Sequence, residues 1–235
     1  QFQKGANASR ANDTKGLEAA VIDWITPTGQ HLSPPLSCKT KFDRGFHHDC
    51  TGGLLCPAGI DWTNEEIKNK LWSGKMHVCG DQWLLFLYAD LNFDPARPWN
   101  GLLKNKLLIS AYKHVFTSHS SVDLDESKAI KSRNAHIHGM SSVTTASITY
   151  IVHFALSSAG TFSRSDTVTD SEAFYLSLFD LLDDGRERHE VQNLLKWWNR
   201  QIFPHLSPKS IPVPVEGSPL DRIGQLRAKK ELSHM

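Results

Sequence analysis

The chain has 235 residues, with 26 basic and 25 acidic side chains and a net charge of +1. That balance excludes a strong global field toward nucleic acid or acidic membranes, and no apolar run approaches the roughly 20 residues that span a bilayer. Hydrophobic residues make up 40% of the chain, enough to build a core in one domain with tails.

Residues 1–15 are polar, carry no signal-peptide apolar region and are expected to be disordered. Beginning at Gln1 rather than Met, the chain reads as a fragment or a processed product. Four cysteines in a chain of this length do not make a disulfide scaffold, so an intracellular, reducing compartment is expected, cytoplasm or nucleus. A single mainly α domain is expected over residues 16–207, with a flexible tail over 208–235.

Leu17, Ala20, Val21, Trp24 and Ile25 follow helical spacing and predict a short first helix, ended by Thr26-Pro27. From Thr28 to Ile60 the chain is rich in Gly, Pro and Ser and reads as a long irregular arm. A loop of that length is functional, wrapped over the core, or loose. Thr63-Asn64-Glu65-Glu66 has the form of a capping box and starts a helix through Leu71, with Gly74 beyond it. The apolar run Trp83 to Tyr88 fits a buried strand or a helical turn, and periodicity does not choose at that length.

Gly101 to Phe116 reads as a strong helix, burying Leu103, Leu107, Leu108, Ala111, Tyr112, Val115 and Phe116. Residues 117–142 are polar and predict a surface loop. Ala146 to Ser157 reads as a further helix or a buried apolar segment. A helical hairpin follows. Its first helix is capped by Thr169-Asp170-Ser171-Glu172 and buries Phe174, Tyr175, Leu178, Phe179, Leu181 and Leu182 over a wide arc. Asp183-Asp184-Gly185 ends that helix, with Gly185 expected in the left-handed conformation. The second, from Arg186 or Glu187, carries Val191, Leu194, Leu195, Trp198 and Ile202 on one stripe, stopped by Pro204.

The strings GDQWLLFLYADLNFDPARPWNGLLKNKLLISAYKHVFTSHSSVD, NAHIHGM, FALSSAGTFSRSDTVTDSEAFYLSLFDLL and LLKWWNRQIFP closely resemble the DUF6698 family of mushroom-forming fungi. The resemblance extends upstream to VIDWITPTGQHLSPPLS and DRGFHHDCTGGLLCPAGIDW, and so spans residues 5 to 207. It implies an intracellular fungal protein, present in many copies per genome, and carries no activity, cofactor or catalytic residue. One departure is the stretch Thr149 to Phe154, about one helical turn shorter than in the family. That shortening fits a diverged or degenerate copy.

Cys38, His47, His48, Cys50 and Cys56 are the metal candidates, with zinc as the cofactor their residue types suit. Their spacing, Cys-x8-His-His-x-Cys-x5-Cys, lacks the paired knuckles of a structural zinc site. His136 and His138 would share a face in an extended segment. The acids near Asp166, Asp170 and Glu172 precede an apolar run and read as caps rather than cation ligands. No phosphate-binding glycine loop is present, and no nucleophile elbow surrounds the serines at 118–121. Trp197 lies off its helix stripe and is an interaction candidate, since Trp is enriched at interfaces. Lys128, Lys131 and Arg133 in one loop, with Arg222, Arg227, Lys229 and Lys230 in the tail, are candidates for phosphate contact.

Three functions follow as expectations. The first is a non-enzymatic protein-interaction domain binding a protein partner. The second is a nucleic-acid-binding protein linked to mobile elements. The third is a metal-dependent enzyme built on the His/Cys-rich arm.

Overall fold

The computed structural model describes residues 15–117, 141–160, 170–203 and 216–232. The chain divides into two units, Gln1–Pro204 and His205–Met235. Within the described residues it is mainly helical, with no named strand.

In the larger unit, α1 covers 15–25 and buries Leu17, Val21 and Ile22, as its spacing predicts. The arm is not wholly irregular. It carries a 3-10 turn at Gly45–His47 and a short helix α2, Asp49–Leu55. The α3 helix, Glu65–Trp72, starts one residue later than a Thr cap would place it. Asn64 is the cap, its side-chain oxygen accepting the N–H groups of Glu66 and Ile67. Thr63 is held instead by the Asp61 carboxylate.

The run Trp83 to Tyr88 resolves into a 3-10 turn, Leu85–Leu87, rather than a strand. Isolated antiparallel bridges, Pro57 with Leu84 and Tyr88 with Leu102, pair the backbone on either side of it. Such pairing satisfies main-chain groups on a segment whose Leu84, Phe86, Leu87 and Tyr88 are buried. The helix expected from Gly101 begins only at Lys106: α4 runs Lys106–Tyr112 and continues as a π turn, Lys113–Thr117. The delay has a local cause. Asn105 accepts the Leu107 N–H and donates to Tyr88 O, so it caps the helix while tying it to the preceding segment.

The α5 helix, Ser142–Leu156, lies at the centre and packs on α6, α4 and α2. It is buried on several sides, including Thr145, Ala146, Ile148, Thr149, Val152 and Ala155. Its two buried threonines donate to the carbonyls four residues back, Ser141 O and Thr145 O, so neither hydroxyl is left unpaired.

The helical hairpin forms from α6, Ser171–Asp183, and α7, Arg188–Ile202. Asp170 caps α6 by accepting the Ala173 N–H at 3.0 Å. Phe174, Leu178 and Leu182 are fully buried, while Tyr175, Phe179 and Leu181 sit half-buried at the edge of the arc. Gly185 does not provide a left-handed stop. It opens a 3-10 turn, Gly185–Glu187, because Asp184 already makes the break by accepting the Arg186 N–H. Trp99 donates to Glu187 at 2.8 Å and ties the 99 turn to the hairpin bend.

Gly80 permits a close approach of one backbone to another. A Cβ there would lie 2.4 Å from the Ala173 carbonyl carbon, so the 80–83 segment rests directly on the first turn of α6. Ser177 completes that seam, donating to Gly80 O and accepting from the Trp83 indole.

In the smaller unit, residues Pro219–Leu232 form α8. This helix lies within the residues expected to form a flexible tail, 208–235. Its start signal is nonetheless local: Ser218 accepts the Asp221 N–H, Asp221 accepts the Gly217 N–H, and Pro219 occupies the first helical position.

Candidate functional site

The residues proposed as zinc ligands do not gather. Cys38 is exposed on the arm. His47 is exposed and turns its ring edge-on to Trp72, centroids 6.2 Å apart. His48 is buried, and both its ring nitrogens are engaged. Nδ1 accepts the Cys50 N–H at 3.1 Å, capping α2, and Nε2 lies 2.8 Å from Pro34 O. With Nδ1 accepting, Nε2 carries the proton given to Pro34, and neither nitrogen offers a lone pair to a metal. Cys50 turns toward Ile25 O and Cys56 toward Ile60 O. Burial pushes the Cys56 thiol up to about 11, with the charge of Asp61 adding to the rise. Among the described residues no group of three or more His, Cys, Asp or Glu is placed to hold a metal. His136 and His138 lie outside the described residues, as do Lys128, Lys131 and Arg133.

Trp197 is half-buried. It packs on the core, lies edge-on to Trp198 at 6.0 Å, and has the Lys104 ammonium 5.9 Å from its ring centre. Trp198 is fully buried and donates to Leu103 O at 3.0 Å. Of the tail cations, Arg222 and Lys229 are exposed on α8; the side chains of Arg227 and Lys230 lie outside the described set.

Among the described aromatic residues, two left out of the sequence-based candidates stand furthest into solvent. Phe42 is 81% exposed and Trp72 is 58% exposed. Trp72 ends α3, and α3 packs against the Gly45–His47 turn, three residues beyond Phe42. The two cations that flank Phe42 in sequence point the other way. Lys41 is 7% exposed and Arg44 1%. Nothing local marks Phe42 as outward, since its sequence context of Lys-Phe-Asp-Arg suggests no more than a polar turn.

An open cleft of ≈ 460 Å³ lies between the end of α1 and the arm, lined by Ile22, Asp23, Thr26, His31, Leu32 and Leu36 among others. It gathers one carboxylate, one imidazole and the hydroxyls of Thr26 and Thr28, and the Thr26 hydroxyl donates to Ile22 O.

These features define a mainly helical domain whose arm and α3 carry exposed aromatic rings. The chain belongs to the family of unknown function DUF6698, whose model matches residues 4–203. No curated protein and no solved structure matches it. No helix among the described residues is long and apolar enough to cross a membrane.

Proposed function

We propose that this is a non-enzymatic protein-interaction domain of an intracellular fungal protein, docking a protein partner through the aromatic surface of the arm and α3. The observation that carries the reading is the exposure of Phe42 and Trp72 on adjoining elements, with the His47 ring against Trp72. Large aromatic side chains held in water are unfavourable in isolation and become binding anchors once a partner covers them. Trp197 is the secondary anchor; its half-buried ring offers an edge rather than a face. Four free thiols, Cys38, Cys50, Cys56 and Cys79, suit a reducing compartment.

The test compares two baits in one fungal lysate, the wild-type chain and the F42A/W72A double variant. Both substituted positions are exposed, so the variant is expected to hold its stability to within about 0.5 kcal/mol. Proteins retained by the wild type and lost by the double variant support the surface. Equal retention by both baits, or retention by neither, removes it. A salt-dependent shift with DNA or RNA would favour the nucleic-acid reading over this one.

A further inference from the structure

Between Ser37 and Gly45 the arm crosses the C-terminal end of α5. The last carbonyls of a helix have no partner within it and form its negative end. Here the arm supplies the partners. Lys41 Nζ donates to Phe154 O at 2.6 Å and lies 3.2 Å from the centre of the Phe154 ring. Arg44 donates to Ala155 O at 2.8 Å and to Ser37 O at 3.0 Å. Gly45 follows at a φ of +67°, and a Cβ there would meet Ser158 N at 3.2 Å, so the arm sits directly on the helix end.

The seat is costly as well as close. Two cations are buried with one carboxylate from a facing helix, Glu18 of α1, 3.8 Å from Lys41 Nζ. The other titratable groups nearby are Asp43 and Cys38 on the arm and His153 on α5, one residue before Phe154. Asp43 spends Oδ2 on the Ser37 N–H at 2.8 Å. Its Oδ1 and Arg44 Nε are buried without a protein partner, which costs free energy that an opened arm would recover. Segments with such compromised contacts open more readily than the core they cover.

We propose that residues 37–45 form a strap that opens and closes over the C-terminal end of α5, with the buried Lys41 side chain as its latch and protonation of its amine as the release. Phe42 lies between the two anchors and moves with the strap. The latch stands whatever docks on Phe42, and its test needs no partner.

The direction of the response follows from burial. Desolvation pushes Lys41 down to about 8, Glu18 pulls it partly back, and Arg44 adds to the fall. In the open strap Lys41 is a solvated lysine with its ordinary value of 10.5. The open form therefore binds the proton more tightly. Closing is weakest below pH 8 and strengthens as pH rises from 8 toward 10.5. The opening equilibrium is expected to be about 20-fold larger at pH 7 than at pH 9.5.

Hydrogen exchange on the full chain reads this, with rates corrected for the intrinsic pH dependence of exchange. The Ser37 N–H, bonded to Asp43, and the Arg44 N–H, bonded to Lys41 O, are the reporters. In the wild type their protection should rise by the same factor, about 20-fold, from pH 7 to pH 9.5. In K41M and in K41R, which loses and keeps the charge respectively throughout that range, protection should be flat. Reporters that exchange only with the core amides of α5 at every pH would overturn the strap. A variant that retains the wild-type pH response would overturn the latch. Should one variant fail to fold, the wild-type series and the other variant still decide.

Discussion

Trp198 gives up all its exposure and spends its indole N–H on Leu103 O, where the chain turns through a positive φ of 56°. Its neighbour Trp197 keeps an edge in solvent. Substituting Trp198 by Phe should leave the buried Leu103 carbonyl unpaired and cost about 1–3 kcal/mol in denaturant unfolding. Trp197→Ala should cost less than Trp198→Ala in the same measurement, because less apolar area is lost. The thiols divide in the same way. Cys38 and Cys79 are exposed, whereas Cys56 is buried with its pKa raised to about 11. A thiol reagent at pH 8 is expected to label Cys38 and Cys79 in the folded chain and to reach Cys56 only after unfolding.

The elements depend on a few seams at which a backbone touches a backbone. Gly80 against the start of α6 is the tightest. In Gly80→Ala the new methyl would meet the main chain of Ala173 and Phe174 rather than a mobile side chain, so α6 must shift. A loss of about 1–3 kcal/mol is expected, read by thermal or denaturant unfolding. Asn105 joins two elements at once, capping α4 and holding Tyr88 O. Asn105→Ala should lose both functions and cost about 0.5–2 kcal/mol, chiefly through the lost cap, since Tyr88 O keeps the Leu91 N–H as a donor. The same residue explains why the helix expected from Gly101 begins at Lys106. Periodicity ran on through Leu102 and Leu103, but those side chains are buried from a turn, not from a helix face. Helical spacing alone does not distinguish the two.

At the scale of the whole molecule, three of the five candidate ligands are spent on structure: His48 caps α2 and bonds Pro34, while Cys50 and Cys56 face carbonyls. Elemental analysis of the purified chain is therefore expected to find no stoichiometric zinc, and a chelator should leave the unfolding midpoint unchanged. One bound zinc per chain that resists dialysis would contradict this. The arm's role in the larger unit is to close the end of α5, a task that its Gly, Pro and Ser content conceals. Lys41 and Arg44 are buried there, while Phe42 between them is exposed.

Much of this protein was decided by interactions within a few residues. Helical class, the capped helix starts near Thr63 and Thr169, the α6–α7 hairpin and the family strings were legible because capping and periodicity act over one or two turns. The two caps displaced from Thr, to Asn64 and Asp170, fall within a residue of the sequence reading, whereas the start expected at Gly101 moves five residues to Lys106. The candidate site was not legible, because it is made by contacts that the local sequence cannot state. Lys41 meets Phe154 across 113 residues and Trp198 meets Leu103 across 95. Only the closed chain determines which of two neighbouring side chains faces in: burial follows from the three-dimensional surroundings, and a buried cation is tolerated only where a helix end happens to offer it carbonyls.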